Sequence, residues 1–269
     1  MKTIIRIGAG MLALAAVLIA ITSAFMTAHA APVGAGASAA GSGQGSDSRS
    51  IQAGVVHVVL NGPMDLALRQ GNVPDLQIRG EAAMVSRVTT RVEGNTLYIG
   101  TKGFFMMLRQ PLRVELVLPN FEKLQMLGSG DGTVSGFRGN RAELAMSGSG
   151  DLSFEGDYQQ VQVNMSGSGD LKMALANSDN VDVSIMGSGE AMLKGQTRAL
   201  NVRLAGSGDL DAANLRASQA IVQSMGSADA KVYATQEARV SSYGSGDIRV
   251  YGNPGKRSAE RRGAGSISW

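Results

Sequence analysis

The chain has 269 residues and no cysteine, which excludes disulfides and a lipid-modified N-terminal cysteine. Its 36 glycines, with only 4% aromatic and 17% charged residues, suit many tight corners around a narrow core of small aliphatic side chains. The formal net charge of +3 falls to +1 without Lys2 and Arg6, too little to argue for a nucleic-acid partner.

Residues 1–30 place Lys2 and Arg6 ahead of an uncharged Ala, Leu and Ile-rich run over 7–26, followed by Ala28-His29-Ala30. Small residues at the third and first positions before a break mark a signal peptide, with cleavage expected after Ala30. The competing reading is an uncleaved anchor, because about 20 apolar residues can just span a bilayer. Cleavage leaves an exported protein without a stable membrane span, in the periplasm, on the outer cell surface or secreted.

Residues 31–50 are rich in Gly, Ala and Ser, cannot bury a core and read as a flexible spacer. The Gly41-Ser42-Gly43-Gln44-Gly45 run inside it is weak as a phosphate loop, since neither a preceding strand nor a following Gly-Lys-Ser/Thr accompanies it. From 51 to 120 the chain alternates as strands do, at Val56, Val58 and Leu60, at Leu76 and Ile78, at Leu97 and Ile99, and at Leu112, Val114, Leu116 and Leu118. Asn61-Gly62-Pro63, Glu93-Gly94-Asn95 and Pro119-Asn120 supply turns. No linker separates residues 51–120 from residues 121–269. Residues 51–269 read as one β domain in which 51–120 form irregular N-terminal coils that cap the rest.

From 121 to 269 the tetrapeptide Gly-Ser-Gly-Asp recurs. Its acid falls at Asp131, Asp151, Asp170, Glu190, Asp209, Asp229 and Asp247, with gaps of 18 to 20 residues, and Ala228 is the one departure among its glycines. A degraded eighth copy, Gly263-Ala264-Gly265-Ser266, comes 19 residues after Asp247. A fixed period in this range marks units that bury their apolar faces only by stacking.

The seventh residue before each acid is Leu124, Leu144, Val163, Val183, Val202, Val222 or Val240, and the fifth is Met126, Met146, Met165, Ile185, Leu204, Ser224 or Ser242, with polar or small residues mostly between them. Apolar residues resume two apart after the acid, as in Leu152 and Phe154 or Leu171 and Met173. Period two means strands with one buried face, so each coil offers two short strands joined at the glycines. The leucine-rich repeat signature is missing, and calcium-binding nonapeptide repeats are about half as long. The fold class expected is therefore all-β, a parallel β-helix of about 20 residues per coil. Met126, Met146, Met165 and Met173 read as core filling, not as a metal-binding stripe.

These features together resemble the head GIN domain family, named for the head of an auto-transporter adhesin. The residues that carry the resemblance are Val92-Glu93-Gly94-Asn95-Thr96-Leu97-Tyr98-Ile99, Val114-Glu115-Leu116-Val117-Leu118-Pro119, and Leu127-Gly128-Ser129-Gly130 with its recurrences. The resemblance covers nearly the whole exported portion. It implies a right-handed β-helix in a bacterial cell-envelope or secreted protein, and it carries over no catalytic residue.

If parity holds through the corner, the glycines point inward while Ser129, Ser149, Ser168, Ser188, Ser207, Ser227 and Ser245 stack outside beside the seven acids. Charges one strand spacing apart repel by roughly 0.9 kcal/mol in water before screening, so something offsets the column. Local capping is the first expectation, each acid accepting N–H groups of its own turn. The alternative is Ca²⁺ or another ligand held between rungs by Asp131, Asp151, Asp170, Glu190, Asp209, Asp229 and Asp247 with those serines.

No other cofactor and no catalytic residue is expected. His57 is the one histidine outside the signal segment and reads as a surface residue, and Trp269 is the only tryptophan, so the groove of a polysaccharide-cleaving β-helix lacks its aromatic platforms. Residues 121–252 carry 15 acids against 11 bases, and the basic cluster Lys256-Arg257 to Arg261-Arg262 reads as a solvated loop before a last strand at Ser266-Ile267-Ser268-Trp269, with Trp269 over the open end. The role expected is a non-catalytic envelope solenoid that binds glycan or another envelope component, with a protein partner or end-to-end self-association as the structural alternative.

Overall fold

Side chains at Val161, Val163 and Met165 are buried while Gln162, Asn164 and Ser166 between them are half-buried, and the same alternation repeats in coil after coil. Each buried Val or Leu contributes about 1.5–3 kcal/mol, but only when a rung lies above and below it. The result, in a computed structural model that describes residues 43–103 and 112–269, is a parallel β-solenoid of about seven turns with roughly 20-residue coils. The expected signal segment and the first part of the spacer lie outside the described residues.

The regular coils are built from β8 (Lys123–Gly128), β9 (Gly132–Gly148), β10 (Leu152–Gly167), β11 (Leu171–Leu175), β12 (Ser178–Gly187), β13 (Ala191–Gly206), β14 (Leu210–Gly226) and β15 (Ala230–Gly244), each parallel to its neighbours. Their register places Leu124, Leu144, Val163, Val183, Val202, Val222 and Val240 in one buried column, as the repeat predicts.

The coil is more than two short strands. In β9, β10, β13, β14 and β15 the strand runs 15 to 17 residues, from the residue after one acid round to the first glycine of the next corner. A further side of the coil therefore has its own inward column, in which Ser178, Thr197, Ala217 and Ala234 follow one another in register. Below Ser178 sits Tyr158, whose main-chain oxygen accepts the Ser178 hydroxyl at 2.7 Å.

The N-terminal coils depart from sequence order. A first rung consists of β2 (His57–Asn61) and β3 (Met64–Gln70), and β8 and β9 stack on one side of it. The chain then leaves through β4 (Asp75–Glu81), a short helix α1 (Ala82–Val85) and β5 (Val88–Glu93), and returns as β6 (Thr96–Thr101) and β7 (Leu112–Leu118) on the opposite side of the same rung. The base is closed by antiparallel pairs, β4 on β7 and β5 on β6.

Residues 44–49, read in the sequence as the end of the spacer, are instead β1 (Gln44–Arg49), paired antiparallel to β4. Its sequence has no apolar alternation to announce it. Backbone pairing holds it, together with Arg49, which bonds Asp47 at 2.8 Å, Thr90 Oγ1 at 3.0 Å and the Val88 carbonyl at 2.9 Å.

At the other end, β16 (Ile248–Tyr251) and β17 (Lys256–Arg262) form the last full rung on β15, and the two-residue β18 (Ile267–Ser268) stacks on β16 as the start of another. The basic cluster is thus the edge strand β17 and not a loop. Register with Ala238, Val240 and Ser242 puts Arg257, Ala259 and Arg261 at the inward positions. Arg257 lies 5.5 Å over the Trp269 ring, and Arg261 donates to the Gly265 carbonyl at 2.8 Å, so cations and one indole stand at this end of the stack.

Candidate functional site

The recurring four-residue corner stacks as parallel columns of glycine, serine, glycine and acid, and its glycines are needed for a different reason from the one parity suggests. The first glycine of each corner has φ between 126° and 159°, a region that L side chains rarely adopt. A Cβ there would point along the stack, not inward, and would fall within 2.5 Å of the carbonyl oxygen of the equivalent glycine one rung earlier, as at Gly148 over Gly128 and Gly167 over Gly148. The second glycine is buried and meets the same obstacle, as at Gly150 over Gly130. The serines and most of the acids are exposed, as expected.

The acids are held between rungs. Asp131 Oδ1 accepts the N–H of Asp151 at 2.9 Å, Asp151 Oδ1 that of Asp170 at 2.9 Å, and Asp170 Oδ1 that of Glu190 at 2.8 Å. The series resumes with Asp209 to Asp229 at 2.9 Å and Asp229 to Asp247 at 2.7 Å, and ends where Asp247 Oδ1 accepts both the N–H and the hydroxyl of Ser266 at 2.8 Å. Those two bonds, the backbone one first, hold the Asp247 carboxyl below its usual pKa. The acceptor is thus the neighbouring turn's carboxylate, not the acid's own, which corrects the expectation of capping within a turn.

The ladder is interrupted once, at Glu190, whose longer side chain takes no such bond from Asp209 among the described residues. It also begins earlier than the repeat suggests, because Asp65 Oδ1 accepts the Asp131 N–H at 3.1 Å. Gly62-Pro63-Met64-Asp65 is therefore a worn Gly-Ser-Gly-Asp, in register with residues 128–131, and only the Gly and Asp at its ends could have revealed it. Among the described residues no three His, Asp or Glu side chains converge as a metal site. The backbone bonds offset the repulsion within the acid column. The serine column is looser, with one hydroxyl pair, Ser188 and Ser207, at 3.4 Å.

His57 opens β2, at the far end of that strand from the corner, and its Nε2 lies 3.6 Å from Glu122 Oε2. Outward side chains on the sides of the stack form their own columns: Lys123 pairs with Glu143 at 2.8 Å, and the Asn201 side-chain amide donates to Asp182 at 2.9 Å and to Asn180 at 3.2 Å. Beside the corner, Met225 and Tyr243 are exposed in one column, and Arg262 lies 5.7 Å over the tyrosine ring.

One concave feature was not legible in the sequence. The inward column that holds the large Tyr158 continues through the small Ser178, Thr197, Ala217 and Ala234, and an open depression of about 400 Å³ lies at Ser178, Thr197 and Ala217. Ser178, Thr197 and Ala217 form its floor, and Asp179, Gln196, Arg198, Arg216 and Ser218 stand round it.

With this geometry in hand, the sequence matches the family described as "Putative auto-transporter adhesin, head GIN domain" over residues 56–254. The chain belongs to that family. Solved structures similar to this GIN domain include a putative adhesin from Parabacteroides distasonis ATCC 8503 (TM-score 0.78, 19% identity, 84% of this chain and 96% of that one) and one from Parabacteroides merdae ATCC 43184 (0.77, 17%, 84% and 95%). A third, a putative lipid binding protein from Parabacteroides distasonis ATCC 8503, is 27% identical over 83% of this chain and 96% of that one, with a TM-score of 0.73. No match was found among curated proteins. No helix among the described residues of this GIN domain is long and apolar enough to cross a membrane.

Proposed function

We propose that this protein is an exported, non-catalytic binding module of the bacterial envelope, which adheres to a glycan or another envelope component through its rigid, repetitive polar sides. The observation that carries the reading is the set of outward columns, such as Gln162, Asp182 and Asn201, repeated at about one strand spacing and braced by side-chain hydrogen bonds. Such a face is organised before its ligand arrives, so little rotamer freedom is lost on contact. Self-assembly is the weaker alternative, because the exposed edge strand β17 carries charge along its length and has Arg257 and Arg261 at register positions that are apolar or small in the rung before, a device that blunts edges against pairing.

Contact with lipid is a second reading. It is favoured by the exposed Met225 and Tyr243 beside Arg262 and by the name of the 27% identical relative. Purified full-length protein should be retained by isolated cell-wall and outer-membrane material. Retention competed by soluble envelope polysaccharide supports the first reading, retention on protein-free vesicles of anionic lipid supports the second, and no retention on either would end both. Cell fractionation would report the compartment directly.

A further inference from the structure

We infer that the depression beside Thr197 is a binding site for an acidic oligosaccharide lying along the stack axis. The inference rests on the glycan-binding reading and deepens it by assigning the site and the charge of the ligand. Its volume, about 400 Å³, lies within the range of small-molecule sites. Its lining is hydroxyl, amide, carboxylate and guanidinium, with little apolar surface, which suits a ligand covered in hydroxyl groups and disfavours a lipid chain.

The walls repeat. Gln196 is in register with Arg216, and Thr197 with Ala217, so equivalent positions recur at about 4.8 Å from one rung to the next. Successive sugar residues of an extended chain can therefore meet successive rungs. On the floor, the Ser178 and Thr197 hydroxyls are tied to backbone carbonyls at 2.7 and 3.0 Å, so the polar groups free to meet a ligand stand on the walls.

Charge selects the class of sugar. Arg198 is only loosely paired, with Nε 3.7 Å from Asp179 Oδ1 and both side chains at least 60% exposed. Arg216 stacks 5.3 Å over the Tyr233 ring and has no carboxylate within 4 Å among the described residues. An exposed guanidinium steadied by a neighbouring ring and without a carboxylate partner keeps its N–H fork available to take a carboxylate through two parallel hydrogen bonds. The ligand class that satisfies both the hydroxyl-rich lining and this fork is a uronic-acid-bearing oligosaccharide.

The test is calorimetric titration of the full-length protein with tetragalacturonate and with neutral cellotetraose, on wild type and on Arg216→Ala, Arg198→Ala and the distant control Arg141→Ala. Expected are one-to-one binding of the acidic tetramer, at least tenfold weaker binding of the neutral one, and a tenfold or greater loss in Arg216→Ala and Arg198→Ala with unchanged melting temperature and unchanged binding in the control. Equal binding of both tetramers, equal binding by Arg216→Ala, or no binding of the acidic tetramer would each overturn the inference. Retention on envelope material, measured in parallel, keeps the two readings apart. Wild type that is retained but ignores tetragalacturonate loses this site and keeps the adhesive role, whereas absence of retention removes the adhesive role itself.

Discussion

A carboxylate that accepts the N–H of the next rung both relieves repulsion in its column and fastens two coils together. Glu190 is where that fastening lapses, so Glu190→Asp should close the gap by accepting the Asp209 N–H. A net gain of about 1 kcal/mol for one such bond would raise the melting midpoint by about 2–4 °C, and an unchanged or lowered midpoint in scanning calorimetry would contradict the ladder. The depressed pKa of the Asp247 carboxyl has a definite sign: its contribution is present above the ordinary Asp range and is lost as the pH falls through the lowered value.

Tyr158 has the opposite behaviour. Its hydroxyl donates to the Phe121 carbonyl at 2.8 Å, and burial, with Glu122 nearby, raises its pKa well above the usual tyrosine value. The unfolded chain therefore loses that proton first, and stability should fall as pH rises above about 10. Tyr158→Phe should cost about 1–3 kcal/mol at neutral pH, by leaving a buried carbonyl unpartnered, and should remove Tyr158's share of the alkaline loss. Urea titrations at pH 7 and pH 11 measure both effects.

At the scale of the strand, the sequence is informative wherever neighbours follow one another at constant spacing. Val163, Val183 and Val202 announce their strands because each repeats the last, and the alternation around them survives intact in the structure. What escaped is what local pattern does not encode. Asp65 is 66 residues from the acid it supports, and β1 has no apolar face. The turn of the first glycine from inward to along the stack depends on a backbone angle that parity counting cannot see. The lysines and arginines of β17 read as a solvated loop because charge looks alike in a loop and on a guarded edge. That guard can be removed. Replacing Arg257 and Arg261 by Val should leave the monomer folded but produce concentration-dependent self-association in sedimentation velocity, whereas a variant that stays monomeric across concentrations would deny β17 its protective role.

On the scale of the whole molecule, stability in a stack resides in the interfaces between adjacent rungs, so a rung can be removed without loss of the plan. Deleting residues 171–190 takes out one coil and joins Asp170 to Ala191, leaving Gly-Ser-Gly-Asp followed by an inward small residue as in other coils. The shortened protein should fold with an unchanged far-ultraviolet circular dichroism per residue and should be shorter by about 4.8 Å in X-ray scattering. A molten or aggregated product would show that the coils are not interchangeable.

The return of β6 and β7 beneath β2 and β3 sets an order of events. The rung of β2 and β3 is clasped by two pairs of strands that follow it in the chain, so assembly cannot proceed simply in chain order. The early rung gains its first cover only with β6 and β7 and stays open on the other face until β8 and the start of β9 have arrived as well.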